Sequence, residues 1–242
     1  MAPDNTMNIL LIDPKQISGD MARICGRHLH HMQNIHGLQV GDSLRIGQIN
    51  GMMGSGIITQ LNNQSATIEL NLDTPPPPPL PSTLILALPR PKMLRRVIQT
   101  VASMGIKHIH LINSARVEKS FWQSPFLTDE SLHEQLILGL EQAVDTVLPK
   151  MYQHKLFKPF VEDKLKDIMA NSKALVGHPM ATQTCPINVN KPTTLIIGPE
   201  GGFIPYEVEK FEQQGVEAVT IGDRILRVET AVPALISRLY PS

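Results

Sequence analysis

The sequence predicts an α/β protein in which a small β-barrel precedes a layer fold built on a mostly parallel sheet. Short apolar runs with one helix fill residues 1–74, whereas strands and helices alternate over residues 82–242. Between them, residues 75–81 read PPPPPLP, which favours an extended polyproline II segment. We interpret this segment as a semi-rigid linker between two domains; a proline-rich motif for a partner protein is the alternative.

Composition excludes several classes of protein. The 242 residues are 42% hydrophobic and 18% charged, and 22 basic side chains balance 22 acidic ones. Such a chain is neither disordered nor collagen-like, and its zero net charge does not indicate a protein that coats polyanions. No basic start precedes an apolar run, and no window of about 18 apolar residues occurs, so we expect a cytoplasmic protein without membrane contact. Cys25 and Cys185 lack CxxC spacing, which indicates two reduced thiols.

The predicted elements of the first domain are short. Residues 7–13, MNILLID, form an apolar strand that Pro14 ends, and a helix is expected over 26–34. Three further strands, joined through turns with Asn-Gly, Gly or Asn-Asn, are expected at 43–49, 56–61 and 66–72. Several short strands with a single helix predict a small β-barrel.

The second domain alternates strand and helix. Residues 84–88 and 106–112 are apolar strands, and between them the apolar residues of 93–104 recur at helical spacing. Thr128 is the expected N-cap of a long helix over 129–148. The remaining predicted elements are a helix over 160–170, strands at 174–176 and 194–197, a helix over 205–214, a strand at 216–221 and a last helix over 232–239. Alternation of buried strands with helices predicts a mostly parallel sheet.

Two glycine-containing loops follow predicted strands, where open α/β sheets bind ligands. GPEGGF at 198–203 follows the strand LII, and GDRILRVETA at 222–231 follows the strand ending in VTI. Either these loops hold a small polar ligand through backbone groups, or they are ordinary turns. Neither GxxxxGK[ST] nor GxGxxG follows a predicted strand, which argues against a P-loop and against a dinucleotide-binding fold.

Basic side chains also follow strand ends. Arg90, Lys92 and Arg95 come after the first strand of the second domain, and Arg116 and Lys119 come after the second. If the sheet is parallel, these residues form a basic rim that suits a phosphate-bearing substrate; solvated helix starts are the alternative interpretation.

Histidines crowd one region of the first domain, at positions 28, 30, 31 and 36. Acidic and thiol partners are missing nearby, so an RNA-facing helix is favoured over a metal site, and no metal is expected. We take His31 and His36 as candidates for RNA contact.

The two loops together resemble a known family. LIIGPEGGF (195–203), Glu207 and IGDRILRVETA (221–231) resemble the signature of the 16S ribosomal RNA uridine-N3 methyltransferases, the RsmE-type branch of the SPOUT class. The resemblance extends upstream to PRPKM, MGIKHIHLINSARV and LEQA, at 89–93, 104–117 and 140–143. HHMQNIHGLQVGD (30–42) is similar to the PUA-like RNA-binding barrel of that family.

The resemblance implies a SPOUT domain with a C-terminal trefoil knot, S-adenosyl-L-methionine as cofactor, an active site at a homodimer interface, and 16S rRNA of the small ribosomal subunit as substrate. The cofactor-binding positions that it implies are Val176, Gly177, His178, Pro179, Ile197, Gly198, Pro199, Glu200, Gly201, Gly202, Ile221, Gly222, Ile225, Leu226, Arg227, Thr230 and Ala231. The implied RNA-binding side chains are those of Arg90, Lys92, Arg95, Lys119, His31 and His36.

The chemistry of this reaction places demands on the site. The uridine nitrogen must be aligned with the methyl carbon, and its proton must leave, which puts negative charge on O2 or O4. Arg227 and Arg116 are the candidates for stabilising that charge, and Glu200 and Glu229 either orient the substrate or accept the proton. Two other functions stay open: a SPOUT methyltransferase for another RNA or base, and a catalytically weak dimeric RNA-binding protein.

Overall fold

The computed structural model describes residues 8–34 and 37–241, except for the side chains of His31 and Asn34. The chain divides into two compact units. The first takes in the chain as far as Pro78 together with Ile137–Leu148, and the second takes in Pro79–Leu136 and the chain from Pro149 onward. The division thus falls within the proline stretch, between Pro78 and Pro79.

The first unit is built on a six-stranded mixed sheet. Its strands are β1 (Leu10–Ile12), β2 (Ile17–Ser18), β3 (Met21–Ile24), β4 (Ser43–Gln48), β5 (Met53–Leu61) and β6 (Ala66–Thr74), with helix α1 (Gly26–Asn34) after β3. In space the strands follow the order β1-β4-β5-β6-β3-β2. β1 pairs with β4 in parallel, and the other neighbours are antiparallel. The short strands β2 and β3 were not predicted.

Alternating apolar residues place one core on each side of β1. Leu10 and Ile12 belong to the larger cluster with Met32 of α1, whereas Ile9 and Leu11 contact a smaller cluster that includes Ile137. Segment 137–148 thereby completes the core of the first unit, although the sequence analysis placed it in the second domain. A chain segment carrying Ile137, Leu140 and Val144 covers apolar strand residues that would otherwise face water.

Close backbone contacts also fix segment 137–148 in the first unit. The Thr146 hydroxyl donates to the Gly51 carbonyl at 2.6 Å, and the Thr146 carbonyl accepts from the Asn50 N–H at 2.8 Å. A Cβ on Gly47 would lie 2.5 Å from Cγ2 of Thr146, so β4 and this segment approach as closely as glycine permits.

The second unit is built on a seven-stranded sheet. Its strands are β7 (Ser82–Ala87), β8 (His108–Ile112), β9 (Lys150–His154), β10 (Lys173–Gly177), β11 (Gln183–Thr184), β12 (Thr193–Ile197) and β13 (Glu217–Thr220). Their order is β11-β13-β10-β12-β7-β8-β9, and every pairing is parallel. The predicted α/β fold with a mainly parallel sheet is confirmed.

Six helices are described after β7 along the chain. They are α2 (Pro91–Ser103), α3 (Asp129–Ala143), α4 (Phe157–Asp163), α5 (Leu165–Ile168), α6 (Pro205–Gln213) and α7 (Val228–Leu239), with 3-10 turns at Lys119–Gln123 and Pro125–Leu127. The Ser131 N–H donates to the Thr128 hydroxyl oxygen at 3.3 Å, so the predicted N-cap is confirmed. Within residues 8–34 and 37–241, no helix is both long enough and apolar enough to cross a membrane.

Three helix boundaries differ from the prediction. α3 ends at Ala143 rather than 148, because Val144 takes a left-handed φ of 57°. The single helix expected over 160–170 is α4 and α5, which meet at Lys164 with a non-helical φ of −120°. α7 begins at Val228 rather than 232, and this puts Glu229, Thr230 and Ala231 in its first turn.

Candidate functional site

A cavity of about 340 Å³ lies at the carboxyl ends of β10, β12 and β13. These strands are neighbours in the order β13-β10-β12, so the loops that follow them meet at one edge of the sheet. The lining residues are Arg116, Gly177, His178, Pro179, Met180, Ile197, Gly198, Pro199, Glu200, Gly201, Gly202, Phe203, Val219, Thr220, Ile221, Arg224, Ile225, Leu226, Val228, Ala231 and Leu235.

The loop after β12 is held by a tight turn and an aromatic anchor. Gly202 has a φ of 71°, and its N–H donates to the Pro199 carbonyl at 2.8 Å. Residues other than glycine rarely adopt this backbone conformation. Phe203 is buried and packs edge-on against Phe211 of α6, with the ring centroids 5.1 Å apart. The turn and the anchor fix the backbone that faces the cavity.

The loop after β10 is bonded to strand β13 through its backbone, and the loop after β13 is held by a side-chain bond of its own. The His178 N–H donates to the Val219 carbonyl at 2.9 Å, and the Thr220 hydroxyl donates to the Gly222 carbonyl at 2.9 Å. Met180 and Ile225 also line the cavity and are 82% and 80% exposed. The cavity is therefore lined by hydrogen-bonded loop backbone, and exposed apolar side chains stand at its opening.

Arg116 reaches the cavity from the loop after β8. Its Nη1 donates to the Gly201 carbonyl. A Cβ on Gly201 would lie 3.0 Å from Cδ of Arg116, so the absence of a side chain lets the arginine lie against the loop. A fixed guanidinium beside an open cavity can stabilise negative charge on a bound group.

A buried carboxylate positions the segment that carries Arg116. Glu207 of α6 is 2% exposed. Its Oε1 accepts from the Ala115 N–H at 2.7 Å, and its Oε2 accepts from the Ile204 N–H at 3.0 Å. Glu207 thus ties the residue before Arg116 to the first turn of α6. Glu207 belongs to the sequence signature, but its role could not be read from the sequence because its burial depends on tertiary packing.

Glu200 links two loops rather than standing free. Its Oε1 accepts from the Arg90 N–H at 2.9 Å, which joins the loop after β12 to the loop after β7. Glu229 is half-buried in the first turn of α7 and is not among the lining residues.

Most of the residues predicted to bind cofactor come together at the cavity, and Arg116 joins them. Four of them do not line it: Val176, Gly222, Arg227 and Thr230. Val176 is buried within β10, and the exposed Arg227 precedes α7, where its carbonyl accepts from the N–H groups of Thr230 and Ala231. The lining residues that sequence reasoning missed are Met180, Phe203, Val219, Thr220, Val228 and Leu235, whereas Arg224 lies in the predicted cofactor loop 221–226. Each missed residue is close in sequence to a predicted position or lies on the predicted last helix. This closeness is the signal by which they could have been found.

The residues predicted to bind RNA lie outside the cavity lining. Arg90, Lys92, Arg95 and Lys119 are exposed, and the Arg95 guanidinium lies 5.1 Å from the centroid of the Phe126 ring. His36 and the side chain of His31 are outside the described residues.

The described part of the histidine cluster includes an ion pair. His28 Nε2 lies 3.0 Å from Glu141 Oε1, and Arg27 Nη2 donates to Glu141 Oε2 at 3.2 Å. Burial alone would raise the pKa of Glu141, but its hydrogen bonds and charge interactions with His28 and Arg27 lower it below 4.5. In the described parts of the chain, no three His, Cys, Asp or Glu side chains are placed to hold a metal ion.

Comparison with known proteins identifies related chains. The family model of an RNA methyltransferase domain matches residues 76–240. Ribosomal RNA small subunit methyltransferase E of Treponema pallidum is 28% identical over 243 residues, covering 94% of this chain and 88% of the relative. The Synechocystis protein of the same name is 23% identical over 237 residues, covering 95% of this chain and 76% of the relative. These matches confirm the resemblance to RsmE-type methyltransferases that the motifs indicated.

Solved structures share the fold. A ribosomal RNA small subunit methyltransferase E from Neisseria gonorrhoeae, bound to S-adenosyl methionine, superposes with a TM-score of 0.76 at 20% identity, covering 96% of this chain and 95% of that one. A putative methyltransferase from Legionella pneumophila, in complex with the bound cofactor SAM, has a TM-score of 0.76 at 19% identity, covering 96% of both chains.

Proposed function

The chain belongs to the RNA methyltransferase family, and we propose that it transfers the methyl group of S-adenosylmethionine to N3 of a uridine in 16S rRNA of the small ribosomal subunit. One observation carries the proposal. The glycine-containing loops and the arginine segment, which lie far apart in sequence, line a single cavity inside the region that the family model matches.

The cavity suits S-adenosylmethionine in size and lining. Its volume of about 340 Å³ falls within the range of small-molecule pockets, roughly 300–1,000 Å³. Loop backbone from Gly177, Gly198 and Gly201 offers hydrogen-bonding groups without side chains in the way, and Ile225 and Leu226 offer apolar contact. When bound, the cofactor supplies an electrophilic methyl group on a sulfonium.

Arg116 is the group we assign to charge stabilisation. Removing the N3 proton leaves negative charge on a uridine oxygen, and a fixed guanidinium stabilises such charge at little reorganisation cost. Both arginine candidates are exposed, but Arg116 lines the cavity and Arg227 does not.

The carboxylates have separate proposed roles. Glu200 is bonded to the Arg90 N–H and so orients the two loops beside the cavity. Glu229 lies in the first turn of α7 and does not line the cavity. Its role as proton acceptor stays a prediction.

The RNA-binding role and the assembly are also proposals. We propose that the first unit is a PUA-like barrel that holds rRNA backbone, and that Arg90, Lys92, Arg95 and Lys119 contact phosphates. We further propose a cytoplasmic homodimer in which the exposed Met180 and Ile225 face the partner copy.

The proposed SPOUT trefoil knot is supported by contacts at the end of α7. The Arg238 Nε donates to the Cys185 carbonyl at 2.7 Å, and the N–H groups of Asn188 and Val189 donate to the carbonyls of Arg238 and Leu239. The segment between β11 and β12 therefore lies along the end of α7, as expected if α7 passes through it.

A methyl-transfer assay tests the proposed function. Small ribosomal subunits from cells lacking the gene are incubated with the purified chain and radiolabelled S-adenosylmethionine, and the rRNA is digested to nucleosides. Label in 3-methyluridine is expected. Label in another nucleoside would support a different RNA methyltransferase, and binding of RNA without label or cofactor affinity would support the binding protein.

A further inference from the structure

A row of four aromatic rings lies in the second unit, apart from the cavity lining. Tyr152 stacks on His110 with the ring centroids 4.6 Å apart, and His110 stacks on His154 at 5.3 Å. His154 contacts the Phe160 ring at 4.7 Å. The row leads from Phe160, which is 2% exposed, to Tyr152, which is 40% exposed. It therefore joins the protein core to the surface at β9, the edge strand of the sheet.

The row gives the Tyr152 ring a rigid, neutral support. Register places Tyr152 opposite His110, and the His110 Nδ1 and His154 Nε2 atoms share a hydrogen bond at 3.0 Å. Burial, with smaller effects of His154 and His108, lowers the pKa of His110 to about 4, so its ring is uncharged at neutral pH. Because His110 covers one face of the Tyr152 ring, a second ring could stack on Tyr152 only from the opposite face.

The chain segment that carries Tyr152 is basic, although the whole chain has zero net charge. Residues 150–166 contain two acidic residues, Glu162 and Asp163, and five exposed lysines, Lys150, Lys155, Lys158, Lys164 and Lys166. Alternation along β9 puts Lys150 on the same face as Tyr152 and His154. The Lys164 N–H donates to the carbonyl of Phe160 at 3.0 Å, which places Lys164 next to a member of the row.

Resting on the proposed function, we propose that Tyr152, Lys150 and Lys164 form a stacking surface for a single-stranded segment of the RNA substrate. An unpaired base would stack on the open face of Tyr152, and the two lysines would contact the adjoining phosphates. Aromatic rings beside cationic side chains are the usual platform for single-stranded RNA, and they tolerate different sequences. An interface for a protein partner would instead have few lysines at its centre.

This surface would hold RNA that flanks the target uridine rather than the uridine itself. None of its residues lines the cavity, and β7 and β8 separate β9 from β12.

The test uses fluorescence anisotropy with a fluorescein-labelled single-stranded oligouridylate and the full chain. Tyr152→Leu removes the aromatic face and should weaken binding about tenfold, whereas Tyr152→Phe should stay within about twofold of wild type. Tyr206→Leu is the matched control, since Tyr206 is also exposed and lies near a lysine, Lys210. It should bind like wild type, and S-adenosylmethionine affinity should be the same in all variants.

Lys150→Gln gives a second, independent measurement if Tyr152→Leu proves unstable. Loss of one phosphate contact should reduce the slope of log affinity against log salt by about 0.7 for a single strand. An unchanged slope would overturn the role of Lys150.

Several outcomes would overturn the stacking surface. They are wild-type affinity in a folded Tyr152→Leu variant, equal losses in Tyr152→Leu and Tyr206→Leu, and no binding of the oligouridylate by the wild type. Methyl transfer to small ribosomal subunits is measured on the same preparations. Absence of transfer by the wild type counts against the proposed function, whereas normal transfer with unaltered Tyr152→Leu binding counts against the stacking surface alone.

Discussion

At the residue scale, Arg116 lines the cavity and donates to the Gly201 carbonyl, whereas Arg227, which is also exposed to solvent, does not line it. We expect Arg116→Ala to reduce kcat for methyl transfer by about 10²–10³-fold, because a preorganised donor is lost. Affinity for S-adenosylmethionine, measured by calorimetry, should change only a few-fold. Arg227→Ala is assayed beside Arg116→Ala, because Arg227 is the other candidate for charge stabilisation. A larger loss for Arg227→Ala would reverse our assignment.

His110 makes the second unit sensitive to acid. Its pKa in the folded chain is about 4, below the ordinary value of 6.5, because burial disfavours the charged ring. As pH falls from about 6.5 to about 4, the unfolded chain binds a proton that the folded chain does not, so stability falls. The lowered pKa of His110 corresponds to a loss of roughly 3 kcal/mol in the free energy of unfolding. Urea unfolding across this pH window should show the loss in wild type and a flatter profile in His110→Phe; equal profiles would contradict the prediction.

At the scale of elements, Glu207 joins the start of α6 to the segment before Arg116. Glu207→Gln turns one of its two acceptors into a donor that faces a backbone N–H. We expect the free energy of unfolding, measured in urea, to fall by about 1–3 kcal/mol. We also expect kcat to fall, because Glu207 no longer holds the segment before Arg116. Glu212→Gln, at an exposed position of the same helix, is the control. Wild-type stability and turnover in Glu207→Gln would show that this link is dispensable.

Elements with strong local signals could be predicted from the sequence. Thr128 begins α3 because its hydroxyl oxygen accepts a backbone N–H, and this preference is local. Buried strands such as β12 are continuous apolar runs between turn residues, so they too could be recognised. The glycine loops of the site follow directly from such strands.

Elements set by tertiary contacts could not be predicted. β9 has the polar sequence KMYQH, without an apolar face, and forms because it adds to the edge of β8. α3 stops at Ala143 where the chain turns to bond with Asn50, whose Oδ1 accepts from the Leu148 N–H at 2.9 Å.

At the scale of the whole molecule, the proposed functions make different demands on charge. RNA binding would release counterions from phosphates, whereas the cavity offers mainly backbone and apolar contacts to the cofactor. We therefore expect RNA affinity to fall steeply with salt and affinity for S-adenosylmethionine to change little. Both are measured by titration across the same salt series. If the affinities for RNA and for S-adenosylmethionine fell equally with salt, the expected difference between the two binding sites would be refuted.

The smaller core of the first unit combines Ile9, Leu11 and Met53 with Ile137 and Leu140, which come much later in the chain. A fragment cut at the proline stretch would therefore leave three apolar side chains without their cover and would tend to aggregate. Dissection of the molecule for separate studies of RNA recognition requires a different design. Residues 137–148 must be grafted onto the excised piece, or supplied as a synthetic peptide that complements it.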